Sequence, residues 1–440
     1  MNIDTKKILG KTLRFMARVI LKKYHPIVVS ITGSVGKSSA KEAIALVVSH
    51  GFSVRKAEGN YNNEIGIPLT IIGAKSGGSS LMGWGKVLFK WLGAVLYPTA
   101  YPQVLVLEMG IDRPGDMEYL LEFVPVNIGV VTQISSSHIA FFGSLGNIAK
   151  EKGKLIEALP EDGFAILNFD DKRVIKMREK TKAKTLTYGF GEGAMLRVDN
   201  VLFHREAKRV EGFSFKLNYA GKSIPVRLPK IVAEHHIAGA LSAVAVGLVL
   251  KMNLVDIAAA LEDYEPLPGR LRLLLGREGM ILLDDTYNAS PTSAVAALAT
   301  LKELMAPRKV VILGDMLELG AESEVSHRSL AESIILAGTS VAILVGKHMR
   351  FLSEELLVQG FTRKQVYWFP DPVTALSEIQ NLVRFEDLIL VKGSQGMRME
   401  LLVQSLLADP GDAKALLCRQ TVSWKGAPFR APEEWNSKPE

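Results

Sequence analysis

A β-branched run, Ile27-Val28-Val29-Ser30-Ile31-Thr32, ends in Gly33-Ser34-Val35-Gly36-Lys37-Ser38-Ser39, and a helical pattern follows from Ala40 to Val48. A strand that turns through glycines into a helix aims several backbone N–H groups at one point, where the helix dipole adds positive potential. Such a point binds phosphate. Lys37 is placed to reach the β/γ-phosphates of a nucleotide, and the Ser38 hydroxyl to hold Mg²⁺. The common P-loop has a further glycine where Ile31 stands, so this is a compact variant, TGxxGKS. The alternative, a tight turn with a chance lysine, does not account for strand, glycines, Lys-Ser and helix occurring together.

Two more stretches carry polar chemistry. Glu58-Gly59-Asn60-Tyr61-Asn62-Asn63-Glu64-Ile65-Gly66 is loop-forming, and its three amides, Asn60, Asn62 and Asn63, can both donate to and accept from a polar ligand. Val104 to Gly110 reads as a buried strand ending in Glu108. Ligands of open α/β sheets sit at the carboxyl ends of strands, so Glu108 is expected to hold Mg²⁺ beside the P-loop. The alternative is an acid that merely ends a strand. His138 follows the strand expected over 127–134, close to that metal site.

The elements that must position these residues are strands alternating with helices. Strands are expected near 164–167, 280–285, 309–314, 340–345, 365–369 and 387–392, with helices over 236–251 and 254–261 and a β-rich excursion over 185–230. This predicts an α/β protein: a P-loop central ATPase domain with a parallel sheet, then a C-terminal Rossmann-like α/β domain. The break at Pro266-Leu267-Pro268-Gly269-Arg270 divides the chain into a basic helix (1–25), a central domain (26–268), a C-terminal domain (269–407) and an irregular tail (408–440).

The net charge of +7 is concentrated in residues 1–25, where seven basic residues face one acid; this uneven placement argues against a general nucleic-acid binder. Residues 5–24 read as an amphipathic helix, with Leu9, Leu13, Met16 and Ile20 on one face and Lys7, Lys11, Arg14 and Arg18 on the other. Either it packs on the nucleotide domain with a solvated basic face, or it attaches to an anionic membrane surface. Val87 to Tyr97 is strongly apolar and reads as a buried or domain-covering helix, or as a second membrane-facing element. The single cysteine, Cys418, excludes an internal disulfide framework and fits a reducing cytosol. No apolar run reaches the roughly 18 residues a spanning helix needs. The expected location is cytoplasmic, with peripheral contact at the inner membrane face through residues 5–24 as the sharper reading, and the expected state is a monomer.

Several stretches together resemble the Mur ligases, ATP-dependent amide ligases of peptidoglycan assembly. They are ITGSVGKSSAKE at 31–42, GNYNNEIGIPLT at 59–70, LEMGIDRPGDM at 107–117 and SSSHIAFFGSLGNIAKEKGKLI at 135–156. LPGRL at 267–271, LLDDTYNASP at 282–291, LGDMLELGAESEVSH at 313–327 and LVKGSQG at 390–396 complete the set, in family order. GNYNNEIG and LGDMLELG are the most specific to the branch that joins D-alanyl-D-alanine to a muramoyl-tripeptide.

The resemblance implies an ADP-forming ligase working through an acyl phosphate, with a peptide-carboxylate acceptor and an amino-acid or dipeptide amine donor. It implies that Gly33, Ser34, Val35, Gly36, Lys37, Ser38 and Ser39 bind ATP, that Ser38 and Glu108 hold one Mg²⁺, and that His138 helps hold a second. Lys152 matches the position carbamylated by CO₂, where the carbamate helps hold metal; Lys150 competes for that assignment. Asn60, Asn62 and Asn63 would contact the acceptor, Arg270 the γ-phosphate and Asp285 the ribose. Asn288 would line the nucleotide-substrate cleft, with Lys392, Gly393 and Ser394 contributing from the C-terminal domain.

Three features depart from the family pattern. Fewer than thirty residues precede the nucleotide-binding strand, which leaves no room for the family's UDP-recognising N-terminal domain. The family's HNxxN stretch, which helps seat adenine, reads His235-His236-Ile237-Ala238-Gly239, so the adenine contacts must differ. Gln395 stands where arginine often follows KGS. The first departure motivates an alternative acceptor: a different, membrane-linked carboxylate, taken without UDP recognition.

Overall fold

The computed structural model describes residues 3–59, 61–135, 139–206, 209–427 and 429. The chain forms two compact units. The first comprises Met1–Leu202, Ser214–Leu228 and Glu234–Tyr264; the second comprises Phe203–Phe213, Pro229–Ala233 and Glu265–Glu440.

The first unit begins α1 (Ile3–Tyr24), β1 (Ile27–Thr32), α2 (Lys37–Ser49), β2 (Val54–Lys56), α3 (Gly66–Ile72), α4 (Leu81–Leu96) and β3 (Val104–Glu108). It continues α5 (Asp116–Leu121), β4 (Ile128–Val131), α6 (Ile139–Phe142), α7 (Leu145–Glu157), β5 (Phe164–Asn168), α8 (Lys172–Ile175) and β6 (Lys184–Gly189). β7 (Leu196–Glu206), β8 (Arg209–Tyr219) and β9 (Lys222–Leu228) form the expected β-rich excursion, of which Phe203–Phe213 groups with the second unit, and α9 (His235–Val249) and α10 (Leu254–Leu261) follow.

The sheet order is β2-β3-β1-β4-β5-β6-β7-β8-β9, parallel from β2 to β7. β1 is central because both its faces are covered: Val28, Val29 and Ile31 are fully buried, as a parallel strand with helices on either side requires. Register does the positioning. Ile31 pairs with Glu108 of β3 and Thr32 with Val131 of β4, so the strand that feeds the P-loop ends beside Glu108.

The second unit carries β10 (Arg272–Leu275), β11 (Ile281–Asp285), α11 (Pro291–Glu303), β12 (Lys309–Gly314), β13 (Val341–Val345), β14 (Val366–Phe369) and β15 (Leu388–Lys392). Its sheet runs β10-β11-β15-β12-β13-β14. All pairs are parallel except β10 with β11. The α/β class and the parallel sheets are as the strand-helix alternation predicts. The antiparallel β10, four residues long and close to the Pro-Gly break, gave no periodic signal.

The N-terminal helix packs on the first unit through its apolar face and keeps its basic face in solvent. Leu13, Met16, Ala17, Ile20 and Leu21 are buried. Leu13 and Met16 pack with Leu69, Ile72 and Val87, while Ala17, Ile20 and Leu21 join the main core beneath the sheet. Each of the larger side chains contributes roughly 1.5–3 kcal/mol by leaving water. Lys11, Arg18 and Lys22 lie exposed on the opposite face.

The apolar helix expected from Val87 starts earlier, at Leu81, and takes the domain-covering form: Val87 and Trp91 pack with α1 and α3, while Leu81, Met82, Leu88, Phe89 and Leu96 face solvent. One expectation is corrected. The tail expected to be irregular from 408 is packed over 408–427. It folds into the short helices Ala413–Leu416 and Val422–Lys425 and buries Leu417 and Arg419. Arg419 and Arg398 clamp the fully buried Glu400, at 2.8 and 2.6 Å. An arginine-carboxylate cluster is a long-range signal that local periodicity cannot carry.

Candidate active site

In the first unit the loop between β1 and α2 is built as the glycines demand. Gly33 has φ 148°, and a Cβ there would lie 2.0 Å from Thr132 Oγ1; Gly36, at φ 85°, is the residue before α2. Thr132 at the end of β4 is the loop's anchor: its hydroxyl donates to Val35 O at 2.6 Å. Ser34 N donates to Gln133 O at 2.6 Å, and Ser34 Oγ to Ser135 O at 3.1 Å. Lys37 Nζ donates to Gly33 O at 2.8 Å and approaches Ser34 O at 3.4 Å, which holds the ammonium over the loop.

Ser38 Oγ donates to Glu108 Oε2 at 2.9 Å, and Glu108 is buried. Asn62 Nδ2 lies 3.5 Å from the other Glu108 oxygen, and Gly110 N donates to Asn62 O at 2.9 Å. The amide loop and the carboxylate thus form one constellation. Lys41, buried one helical turn past Lys37, lies 3.9 Å from Glu108 and donates to Gly59 O at 3.3 Å. Neither Lys41 nor Thr132 stood out by residue type, although the four-residue spacing from Lys37 puts Lys41 on the same helix face. Asn63 serves locally: its Oδ1 accepts from Ile65 N and Gly66 N at 3.2 and 2.9 Å and starts α3.

The Ser38–Glu108 geometry suits Mg²⁺. Two neighbouring oxygens of an octahedral shell, each about 2.1 Å from the ion, lie roughly 3 Å apart. Asn60 and His138 fall outside the described residues. Among the described residues no cluster of three or more His, Cys, Asp or Glu could hold a metal by itself.

Lys152 and Lys150 are separated by burial. Both lie on α7, but Lys152 is 3% exposed and Lys150 faces solvent. Burial, and then the positive charge of Lys37, pull the Lys152 ammonium down to about 7, against the opposing pull of Asp112 and Glu151. The adjacent Glu151 accepts from Gly115 N and Met117 N, at 2.9 and 3.2 Å, and so fixes the loop that carries Asp112. A lysine near 7 is substantially neutral at physiological pH, the state in which an amine adds CO₂.

Gly239 has a steric reason. A Cβ there would lie 3.1 Å from Tyr264 Oη and 3.5 Å from Ala40 N at the start of α2. Any side chain at this position meets a tight contact with Tyr264 where α9 packs on α2. His236 is buried against His235, ring centroids 4.4 Å apart.

In the second unit β11 and β15 are in register at Asp285 and Lys392. Lys392 Nζ donates to Asp285 Oδ2 at 2.6 Å and to Asn288 O at 2.9 Å. Burial raises the Asp285 carboxyl, and Lys392 opposes that rise. Asn288 Oδ1 accepts from Gln395 N at 3.3 Å; Ser394 Oγ donates to Ala289 O at 3.2 Å and accepts from Leu317 N at 2.9 Å. The adjacent ends of β11 and β15 therefore gather Asp285, Asn288, Lys392 and Ser394. Arg270 lies with its guanidinium 3.9 Å from the Tyr287 ring centre, and Tyr287 N donates to Gly269 O at 3.0 Å. Asp284, whose local sequence pattern gives no sign of the role, ties the two loops together. It accepts from Gly269 N at 2.9 Å and from the Thr286 hydroxyl at 2.6 Å, and burial raises it to about 6.

Comparison with known proteins gives a consistent result. Residues 94–247 match the Mur ligase middle domain, and residues 269–395 match the Mur ligase, glutamate ligase domain. The UDP-N-acetylmuramoyl-tripeptide–D-alanyl-D-alanine ligase of Escherichia coli (strain K12) is 29% identical over 412 residues, covering 92% of this chain and 83% of its own length. That of Bacillus subtilis (strain 168) is 29% identical over 399 residues, 90% of this chain and 79% of its own. A crystal structure of MurF from Acinetobacter baumannii superposes with a TM-score of 0.75 at 26% identity, covering 92% of this chain and 80% of that one.

Proposed function

The chain belongs to the Mur ligase family, and on that premise we propose that it is an ATP-dependent, ADP-forming amide ligase of peptidoglycan precursor synthesis, adding D-alanyl-D-alanine to a muramoyl-tripeptide. The observation that carries the reading is the Ser38–Glu108 pair, 2.9 Å apart at the mouth of a glycine loop that Lys37 covers. The family resemblance, extended over most of the chain by the relatives above, supplies the substrate class.

In the proposed reaction an acceptor carboxylate oxygen attacks the γ-phosphorus of ATP. The bond to the β-phosphate oxygen breaks, ADP leaves and an acyl phosphate forms. The donor amine then attacks the acyl carbon, and the tetrahedral adduct collapses to the amide, with phosphate leaving and the amine proton passing to solvent or base. Loop N–H groups and Lys37 stabilise charge on the transferred phosphoryl group. Mg²⁺, where Ser38 and Glu108 would hold it, supplies charge neutralisation at the β- and γ-phosphates.

His138 keeps the role of ligand to a second Mg²⁺, and Lys152 that of the carbamylated lysine. The depressed Lys152 amine and the exposure of Lys150 support Lys152 over its competitor. Asn60, Asn62 and Asn63 are assigned to the acceptor. In the second unit, Arg270 is assigned to the γ-phosphate, Asp285 to the ribose, Asn288 to the nucleotide-substrate cleft, and Lys392 and Ser394 to substrate.

The test is ADP release with ATP, Mg²⁺, UDP-muramoyl-tripeptide and D-alanyl-D-alanine. Release should require both acceptor and amine and should vanish in Lys37→Ala; release equal to the no-substrate control would reject the reading.

A second reading, a membrane-linked acceptor met by a monomer at the inner membrane face, is favoured by one observation: the solvent-facing apolar side of α4 beside the basic face of α1. No helix among the described residues is long and apolar enough to cross a membrane, so the contact in that reading is peripheral.

A further inference from the structure

α4 is apolar on two sides. At about 100° per residue, Trp84, Val87, Trp91 and Ala94 share the side that packs inward. Leu81, Met82, Leu88, Phe89, Leu92 and Leu96 occupy the opposite arc, roughly 120° wide by the same spacing. That arc is open: Leu81 is 89% exposed, Met82 and Phe89 76%, and Leu96 68%. Lys86 and Lys90 stand at its edge, both exposed. A water-facing helix of a globular protein places polar residues on such an arc, so a contiguous apolar ridge marks an interaction surface.

The neighbouring helix supplies charge. Phe15 of α1, 60% exposed, meets Trp91 of α4 with ring centroids 6.4 Å apart. The same Phe15 shares the outer face of α1 with Lys11, Arg14, Arg18, Val19 and Lys22. Trp91 Nε1 donates to Met16 O at 3.0 Å, and Lys23 Nζ donates to Ala94 O and Val95 O at 2.9 Å, which fixes the two helices as one rigid face. An apolar ridge is thus bordered by cations on both sides.

We propose that this face, with α4 as the inserting element and α1 as the charged flank, docks the protein on an anionic lipid bilayer. α4 has 16 residues, roughly 24 Å of helix, too short to span the hydrocarbon core. It lies in the plane of the interface, with its leucines and Phe89 among the acyl chains and Lys86 at the headgroup phosphates, while Lys90 donates to Gly73 O. Charge selects this occupant over a second copy of the chain. A two-fold contact through this face would place the basic patches of both copies, Lys11, Arg18, Lys22 and Lys86 in each, in one interface, and like charges oppose that pairing. The inference deepens the membrane reading above by naming the inserting helix, and it does not depend on the ligase reading.

The experiment is flotation of the full chain with vesicles of phosphatidylcholine alone and of phosphatidylcholine mixed with phosphatidylglycerol in equal parts. The protein should float with the mixed vesicles, remain behind with phosphatidylcholine, and be released by salt. L81Q/F89Q/L96Q should lower binding by at least about tenfold, and K22Q/K86Q by about thirtyfold, with unchanged melting temperatures, since these side chains are exposed. Retention of the wild type outside both vesicle fractions would overturn the proposal. So would equal flotation of the triple variant, or a dimer by light scattering that the triple variant dissolves in the absence of vesicle binding. Product formation with a soluble acceptor, measured without vesicles, reports on the ligase separately, so either reading can fail alone.

Discussion

At the scale of single residues, chemistry and burial together set the roles. Lys152 is the sharpest case. Its pKa falls from the ordinary lysine value of 10.5 to about 7, chiefly because it is buried and next because of Lys37. Between those values the unfolded chain binds the proton that the folded chain has lost. Stability should therefore rise with pH from about 7 toward 10.5, and that slope should flatten in Lys152→Met, as urea unfolding across that window measures. The same depression bears on carbamylation. The neutral amine diminishes below pH 7, so activity should need more added bicarbonate there, and Lys152→Ala should show no bicarbonate response. Lys37→Ala should lower turnover by at least about a hundredfold, since it removes a preorganised cation from the transferred phosphoryl group. Sequence alone made Lys37, Ser38 and Glu108 legible because strand, loop and helix announce themselves locally. It could not separate Lys150 from Lys152, because burial on α7 depends on the loop that Glu151 ties down. Lys41 and Thr132 were missed for the same reason: their partners, Glu108 and Val35, are distant in sequence.

At the scale of elements, the positions of the strands followed from β-branched runs, and their register brought the chemistry together. The P-loop turns where Gly33 can pass Thr132. Gly33→Ala, whose Cβ would sit 2.0 Å from Thr132 Oγ1, should weaken ATP binding and cost about 1–3 kcal/mol of stability, measured by nucleotide titration and denaturant unfolding. The segment after 408 taught the opposite lesson. Its prolines and weak periodicity suggested an irregular tail, yet Arg419 donates to Glu400 and to Tyr287 O in the loop that holds Asp285 and Asn288. Breaking a buried ion cluster by removing one partner typically costs about 3–5 kcal/mol. Glu400→Ala should therefore destabilise the second unit by that amount, as calorimetry of the full chain would show. α4 was legible as apolar and as too short to span a membrane. Which of its sides faces water was not legible, because both are apolar and only the packing of Trp84 and Trp91 against the α1–α3 layer decides.

At the scale of the whole molecule, two α/β units each gather a polar constellation at strand ends, and both match Mur ligase domains. The fold class was legible from strand-helix alternation alone. The identity of the acceptor was not, because acceptor recognition rests on shape and charge assembled from distant segments. The central claim is that this assembly joins a carboxylate to an amine at the expense of ATP. The direct measurement is mass spectrometry of a reaction containing the full chain, ATP, Mg²⁺, bicarbonate, D-alanyl-D-alanine and a muramoyl-tripeptide, run with UDP-linked and with lipid-linked acceptor. The expected product is heavier than one acceptor by the dipeptide less one water, forms with one ADP and one phosphate per product, and is absent in Lys37→Ala. ATP consumption with no amide product on either acceptor, or an equal yield from Lys37→Ala, would contradict it.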